Sequence, residues 1–471
     1  MTPAQWSAII LSWKPIFWRE TDQRLPPWAI IGMPEYRLRL PSIVLTTPPI
    51  AIALWLNLAM TAFLGPLDIT AEANKMTVGL DPIVLLKLVV SGCAAVLGAY
   101  GVIASAAVRD AILTPPPLML FGILFLAVLA TPIAISTASL PTTLINFTHV
   151  MFLVTALITL RLPGVATAAL AGIFATFCLA MFMWFFVPKY GEFPELLADG
   201  LIVVRLSGTA HPNAVGRAMV LGILLTLYLN RTGQFRLPLT MTLTACFGYA
   251  AYLAWSRTAI VAGAVGMVIL FLDRIVTRVG IAGVVLLGLI ALAGLSSIYV
   301  LGYEDEIVGE LLVKVSKTGD ADEITSGTGR ADIWSRAFEL IAERPMIGHG
   351  FNAAPSLMID HSQATHNAVL HATLATGWLG GGLMLSLLMW NLYLVLRCDS
   401  LPVRSLSAFT VMSCLTEDTI LETFPGPCTI MWLITIIAPM TQLSSNQVSS
   451  SHLDVGRLET ARQGAVAMPT Q

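Results

Sequence analysis

Long apolar runs dominate this sequence and leave few architectures open to it. They lie near residues 42–64, 82–106, 117–137, 142–160, 164–187, 211–229, 237–255, 257–272, 279–301, 366–396, 403–416 and 424–442. A helix needs about 20 apolar residues to cross a ~30 Å hydrocarbon core. The backbone must satisfy its own hydrogen bonds there. The chain therefore reads as all-α, a polytopic membrane protein of about twelve transmembrane helices. The eleventh run is the weakest, because Glu417, Asp418 and Glu422 cut it short. Composition agrees: charged residues make up 11%, where a soluble domain carries about 25%. The net charge of -2 offers no footprint for nucleic acid. Six cysteines stand singly in or beside apolar runs, without CxxC or zinc-type spacing, and read as small membrane-buried side chains.

The runs divide the chain into five parts. Residues 1–41 are polar and tryptophan-rich and read as a cytoplasmic tail, not the apolar core of a secretion signal. Spans one to nine fill 42–301, a long polar loop occupies 302–365, and spans ten to twelve fill 366–442. Residues 443–471, rich in Ser and Gln, read as a disordered cytoplasmic tail. With the N-terminus inside, the short outer loops hold only Lys75, Lys189, Arg205 and Arg257, while the other basic residues near spans fall inside. That bias fits the positive-inside rule, which discounts the one long loop. Loop 188–210, the break at Ser256-Arg257 and loop 302–365 then all face outward.

Four stretches could carry chemistry. The first is WSRTAI, Trp255 to Ile260. The run 237–272 would be roughly 54 Å long as one helix, so it must be two spans that turn at Ser256-Arg257. Arg257 is either a functional group held at the bundle's edge or a flanking arginine that snorkels to the interface. The second is GRADIWSRAFELIAERP, where Ile333, Trp334, Ala337, Phe338 and Ile341 share one helical face. Thr328 or Gly329 can cap this helix, Asp332 suits its first turn, and Arg344-Pro345 ends it. It would lie on the bilayer surface or over the bundle mouth. Arg330 at its start is a pyrophosphate cradle or a solvated helix-end arginine.

The third stretch, THNAVLHATLATGWLGGG, opens a run about 16 Å longer than the core requires. Its first turns can stand above the membrane and place His366 near the interface. A neutral histidine there can take a proton from a hydroxyl, or serve structurally. A metal site built from His349, His361, His366 and His371 is disfavoured, because no two lie at i, i+4. Gly377, Gly380, Gly381 and Gly382 would permit close helix packing. The fourth stretch is RLSGTAHPNAVGR, in which Arg205 lies outside and Arg217 within the apolar segment. His211-Pro212-Asn213 reads both as the start of a helix and as a polar lining.

Together these stretches resemble the O-antigen ligase/polymerase family, the Wzy_C-like domain, and within it the ExoQ-like exopolysaccharide polymerases. The resemblance covers roughly residues 200–440. It rests on HPN at 211–213, SRT at 256–258, GRADIW…AERPMIGHGFN at 329–352, and His366-Asn367 followed by Gly377-Trp378-Leu379-Gly380. It implies a GT-C-like bundle with a large periplasmic loop in the bacterial inner membrane, and an enzyme that needs no metal or cofactor. The implied donor is an undecaprenyl-pyrophosphate-linked glycan, with a second glycan as acceptor. A flippase and a chain-length regulator are the implied partners. The site residues carried over are His366, Arg257 and Arg330 for catalysis, and Arg205, His211, Asn213, Arg336 and Asn367 for substrate binding. Polymerisation into exopolysaccharide is the favoured activity. Ligation onto lipid A core or protein keeps the same chemistry with another acceptor. A lipid-linked-sugar transporter is the contrasting class, disfavoured because the polar residues gather outside instead of at the midplane.

Overall fold

The computed structural model describes residues 115–133, 165–196, 202–271, 330–350, 353–358, 364–398 and 400–418, with shorter pieces within 56–64, 85–113 and 426–436. The spans expected over 42–64, 82–106, 142–160, 279–301 and 424–442, the two tails, and residues 302–329 of loop 302–365 lie wholly or largely outside the described residues. The helices are α1 (Pro115–Ile133), α2 (Val165–Phe186), α3 (Pro188–Gly191), α4 (Pro212–Arg231), α5 (Leu237–Ala254), α6 (Arg257–Leu270), α7 (Arg330–Glu343), α8 (Ala354–Leu357), α9 (Ala368–Arg397) and α10 (Leu401–Thr416). Among the described residues, four helices are long and apolar enough to cross a membrane: Ala166–Phe186 within α2, then α4, α5 and α9. Helices α6 and α10 are apolar but shorter.

The described residues are mostly helical, as the sequence leads one to expect, with one addition: loop 188–210 folds into an antiparallel hairpin of β1 (Glu192–Leu196) and β2 (Ile202–Leu206). The pairing runs from Glu192 opposite Leu206 to Leu196 opposite Ile202. Val203 and Val204 favour strand geometry. A hairpin also closes its own inner backbone groups outside the helical bundle.

Helix α4 is the central post, with 78% of its apolar stretch buried, against 28% for α5 and 33% for α2. The outer helices turn large side chains such as Phe185, Tyr252, Met389 and Leu396 away from the protein, as lipid-facing surfaces do. Small residues let α6 lie close to α4: a Cβ on Gly263 would come within 2.4 Å of Val220. Ser405 on α10 then donates its hydroxyl to the Gly266 carbonyl of α6 at 2.7 Å.

Helix α9 corrects one expectation. Its 30 residues are two helices joined at Gly377, whose φ of 72° and ψ of -174° are not helical. The break frees the Leu374 and Ala375 carbonyls and the Trp378 amide. Segment 345–350 meets all three: His349 N–H donates to Leu374 O at 2.8 Å, Gly350 N–H to Ala375 O at 2.9 Å, and Trp378 N–H to Pro345 O at 2.8 Å. The approach is so close that a Cβ on Gly348 or on Gly377 would lie 2.5 Å from the other segment's backbone. Gly377 is thus a docking break and not a helix-packing surface. The portion after it, Trp378 to Arg397, has about the length of one span.

The amphipathic helix α7 starts at Arg330 and ends at Glu343, just before Arg344-Pro345, where the sequence places its end. It sits over α9, not over open bilayer. Ile333, Ala337, Leu340 and Ile341 pack with Leu370, Leu374 and Met358. Phe338, expected on that face, is instead exposed, and Leu340 takes its place. The i, i+4, i+7, i+8 spacing of the buried set is the truer stripe.

Candidate active site

The turns at one end of the bundle converge on a buried carboxylate. Glu417 follows α10 and is 5% exposed. Its Oε2 lies 3.0 Å from Arg217 Nη1, on α4, and 3.3 Å from His366 Nδ1, just before α9. Its Oε1 accepts from Asn213 Nδ2 at 3.0 Å. A buried charge must find such partners to be tolerated. Four elements meet here: the starts of α4 and α9, the end of α10, and, through Arg205, strand β2.

Arg205 ties this end of the bundle together. It is 2% exposed. Nε donates to Ala254 O at 2.9 Å, Nη1 pairs with Glu195 at 2.7 Å, and Nη2 reaches Asn213 Oδ1 at 2.7 Å and Trp255 O at 3.4 Å. A guanidinium at a helix C-terminus suits the last carbonyls of α5. It thereby holds the α5–α6 break, where Trp255 takes left-handed backbone angles (φ 44°, ψ 43°). The sequence offers Arg205 as a substrate contact, and the structure uses it as a strut between hairpin, break and Asn213.

The break brings α6 onto α4. Ser256 is buried against Gly216, where a Cβ would come within 2.5 Å of the serine Cβ. The next residue along α4 is Arg217, the partner of Glu417. Arg257 is half-buried and is the first residue of α6. Arg330 is likewise the first residue of α7. Each arginine position therefore coincides with a helix N-terminus, where free backbone N–H groups favour an anion.

His211 and Asn213 open α4, the first of the two readings that their motif allows. His211 is the N-cap of α4, and its Nδ1 accepts from the Asn213 amide at 3.3 Å. The residue is exposed to solvent on one side, while the hairpin and the neighbouring helices crowd the other. That desolvation, and next the Arg205 charge, pull its pKa down to about 4, which keeps it the neutral acceptor a cap requires.

His366 itself is held in an unusual way. Its φ of 51° is left-handed, rare for a residue other than glycine. On one side Thr365 accepts the Trp334 indole N–H of α7 at 3.0 Å through its carbonyl, and its hydroxyl lies 2.8 Å from Asp418 Oδ1. On the other side Asn367 caps α9 by accepting from the amides of Val369 and Leu370, both at 3.0 Å. Its own amide donates to Asp418 at 3.2 Å. Strain fixed by surrounding contacts is characteristic of functional positions. His366 keeps 24% of its side chain exposed, enough for a reactant to reach it.

Two residues carry more here than the sequence reading assigned them. Glu417 and Asp418 appeared only as the acids that shorten the eleventh span. Asp418 also stands 3.3 Å from His371 Nδ1. The signal was available: carboxylates at the outer end of an apolar span, opposite an arginine inside another, are functional candidates by default. By contrast, Arg336 lies on the flank of α7 in an exposed pair with Glu339 at 2.9 Å. His349 is buried and bonded to the Leu340 carbonyl at 2.7 Å, a structural tie between the docking loop and α7. His361 and residues 328–329 lie outside the described residues.

A family model described as O-antigen ligase matches residues 242–385. The matched segment contains Arg257, Arg330, His366 and the Gly377 break. No curated protein gives a significant match.

Proposed function

We propose, from the match of residues 242–385 to the O-antigen ligase family model, that the chain belongs to the O-antigen ligase/polymerase family and joins undecaprenyl-pyrophosphate-linked repeat units into an exopolysaccharide at the periplasmic face of the inner membrane. The observation that carries this reading is His366, strained, partly exposed and backed by a buried carboxylate, at the end of the bundle where α6 and α7 begin with arginines.

Sugar transfer from a pyrophosphate needs a base for the acceptor hydroxyl and cations for the departing charge. In the proposed step the acceptor oxygen attacks the anomeric carbon from the face opposite the pyrophosphate. The C–O bond to the pyrophosphate breaks and its electron pair leaves with the phosphate. The hydroxyl proton passes to His366, and the anomeric centre inverts. Arg257 and Arg330, each the first residue of its helix, bind the pyrophosphate. His211, Asn213 and Asn367 line the same end and contact the sugars. These groups account for both charges without a metal ion.

The test is purified protein in nanodiscs, supplied with lipid-linked repeat units and EDTA. Wild type is expected to build a ladder of products, while H366A and R257A, shown to be inserted and folded, lose at least roughly 10²-fold in rate. Full-length polymer from either variant would overturn the assignment of that residue. The matched description, O-antigen ligase, favours one second reading, transfer of the glycan to another acceptor, which we take to be lipid A core. It takes over if product forms only when that acceptor is added.

A further inference from the structure

The proposed base needs one tautomer, and the structure contains a group able to select it. We propose that Glu417 is the positioning carboxylate for His366: it accepts Nδ1–H, turns Nε2 into the basic nitrogen, and stabilises the imidazolium formed when the acceptor's proton arrives. This rests on the reading of His366 as the base.

Three features support it. First, the distance is 3.3 Å and the carboxylate is nearly buried while the imidazole is not, so one ring edge faces protein and the other can face a reactant. Second, Glu417 is itself fixed. Arg217 holds Oε2 at 3.0 Å and Asn213 holds Oε1 at 3.0 Å, and Asn213 is in turn held by Arg205. Arg217 also keeps the carboxylate ionised, so it accepts and does not donate. Third, the backbone of His366 is pinned on both flanks, by Thr365 and Asn367 to Asp418. A base whose other nitrogen is bonded to a fixed carboxylate is the arrangement that sets tautomer and orientation in nucleophile–histidine–acid sites. The order Arg205, Asn213, Glu417, His366 is then a relay of position from the hairpin to the reacting nitrogen.

Among the described residues, the charged and titratable groups around the pair include Arg217, Arg205 and His211 from the α4 side, and Asp418 and His371 from the α9–α10 side. With Glu417 anionic, the imidazolium formed in the step gains a charge partner 3.3 Å away. E417Q removes that partner, so the acidic limb of kcat/KM moves to lower pH. The amide can also donate to Nδ1 and stabilise the wrong tautomer, so kcat falls roughly 10²-fold or more. E417D keeps the charge and recovers activity to within about tenfold of wild type.

The experiment is the pH profile of polymer formation for wild type, H366A, E417D, E417Q and R217Q/E417Q. The double variant removes both members of the buried pair together, so Arg217 is not left as an unpaired charge. Support is a large loss in E417Q, partial recovery in E417D, and an acidic limb displaced downward in E417Q and in the double variant. An E417Q or double variant that is slower with its limb unmoved reduces Glu417 to a packing role and overturns the proposal, as does a double variant that matches wild type. An active H366A instead removes the base reading itself, which keeps the two failures apart.

Discussion

His366-Asn367 and Gly377 belong to one sequence motif, at the start and at the break of α9, yet they do different work. At His366 the side chain matters: an imidazole on a buried carboxylate, with Asn367 capping the helix beside it. At Gly377 the missing side chain matters, because the broken backbone exchanges three hydrogen bonds with segment 345–350. Both hold the loop helix α7 to the bundle, one through Trp334 and Thr365 and the other through the docking loop that follows α7. A shared motif therefore mixes chemistry with architecture, and the two kinds of residue fail in different ways when changed.

That contrast can be broken by measuring stability and rate separately. The largest stability effect is expected for G377A. Left-handed angles cost a non-glycine residue about 1–3 kcal/mol, and the new Cβ would lie 2.5 Å from the Met346 backbone. The thermal midpoint in detergent should fall by several degrees, and α7 should become accessible to protease. H366A should keep its midpoint and lose its chemistry. A G377A protein with an unchanged midpoint but no activity would mean that the glycine acts on the reaction directly, and the division would fail.

How much of this was legible depended on how local the signal was. The ends of α7, the two spans around Ser256-Arg257 and the start of α4 at Pro212 are set by neighbours in sequence, and all three can be read from proline placement, helical stripe or run length. The hairpin at 192–206 is not legible in the sequence, because its two strands are only five residues long and the first carries Pro194, so a loop is the default between two spans. The docking break is not legible either. Gly377 sits among three further glycines, and nothing nearby says that its carbonyl-side partners lie in 345–350. The Glu417 cluster was half visible. Arg217 and Glu417 each stood out against apolar surroundings, but they are 200 residues apart. Pairing them requires knowing that α10 returns to the end where α4 begins.

A smaller effect sharpens the contrast at the chemical end. N367A removes the side-chain oxygen that receives the Val369 and Leu370 amides, which should cost about 1 kcal/mol of stability. Since Asn367 also follows the strained His366, the variant should lower kcat more than its midpoint shift explains. A rate loss fully accounted for by lost folded protein would make Asn367 a cap and nothing more.

The smallest effect is expected at Arg336, and it bounds the site from outside. Its guanidinium pairs with Glu339 three residues along the exposed flank of α7, with 35% and 62% of the two side chains exposed. Exposed pairs of this kind contribute about 0–1 kcal/mol, so R336A should leave the midpoint nearly unchanged. The face of α7 that touches the bundle is the one carrying Ile333, Ala337 and Leu340, and a pyrophosphate bound beneath the helix, as proposed, would have no need of the flank. R336A should therefore retain activity within about threefold of wild type, with kcat and KM both close to unchanged. A KM for the lipid-linked donor raised by tenfold or more would put substrate on the outer flank of α7. The loop helix would then contact glycan along its length, and Arg336 would join Arg257 and Arg330 as a binding residue.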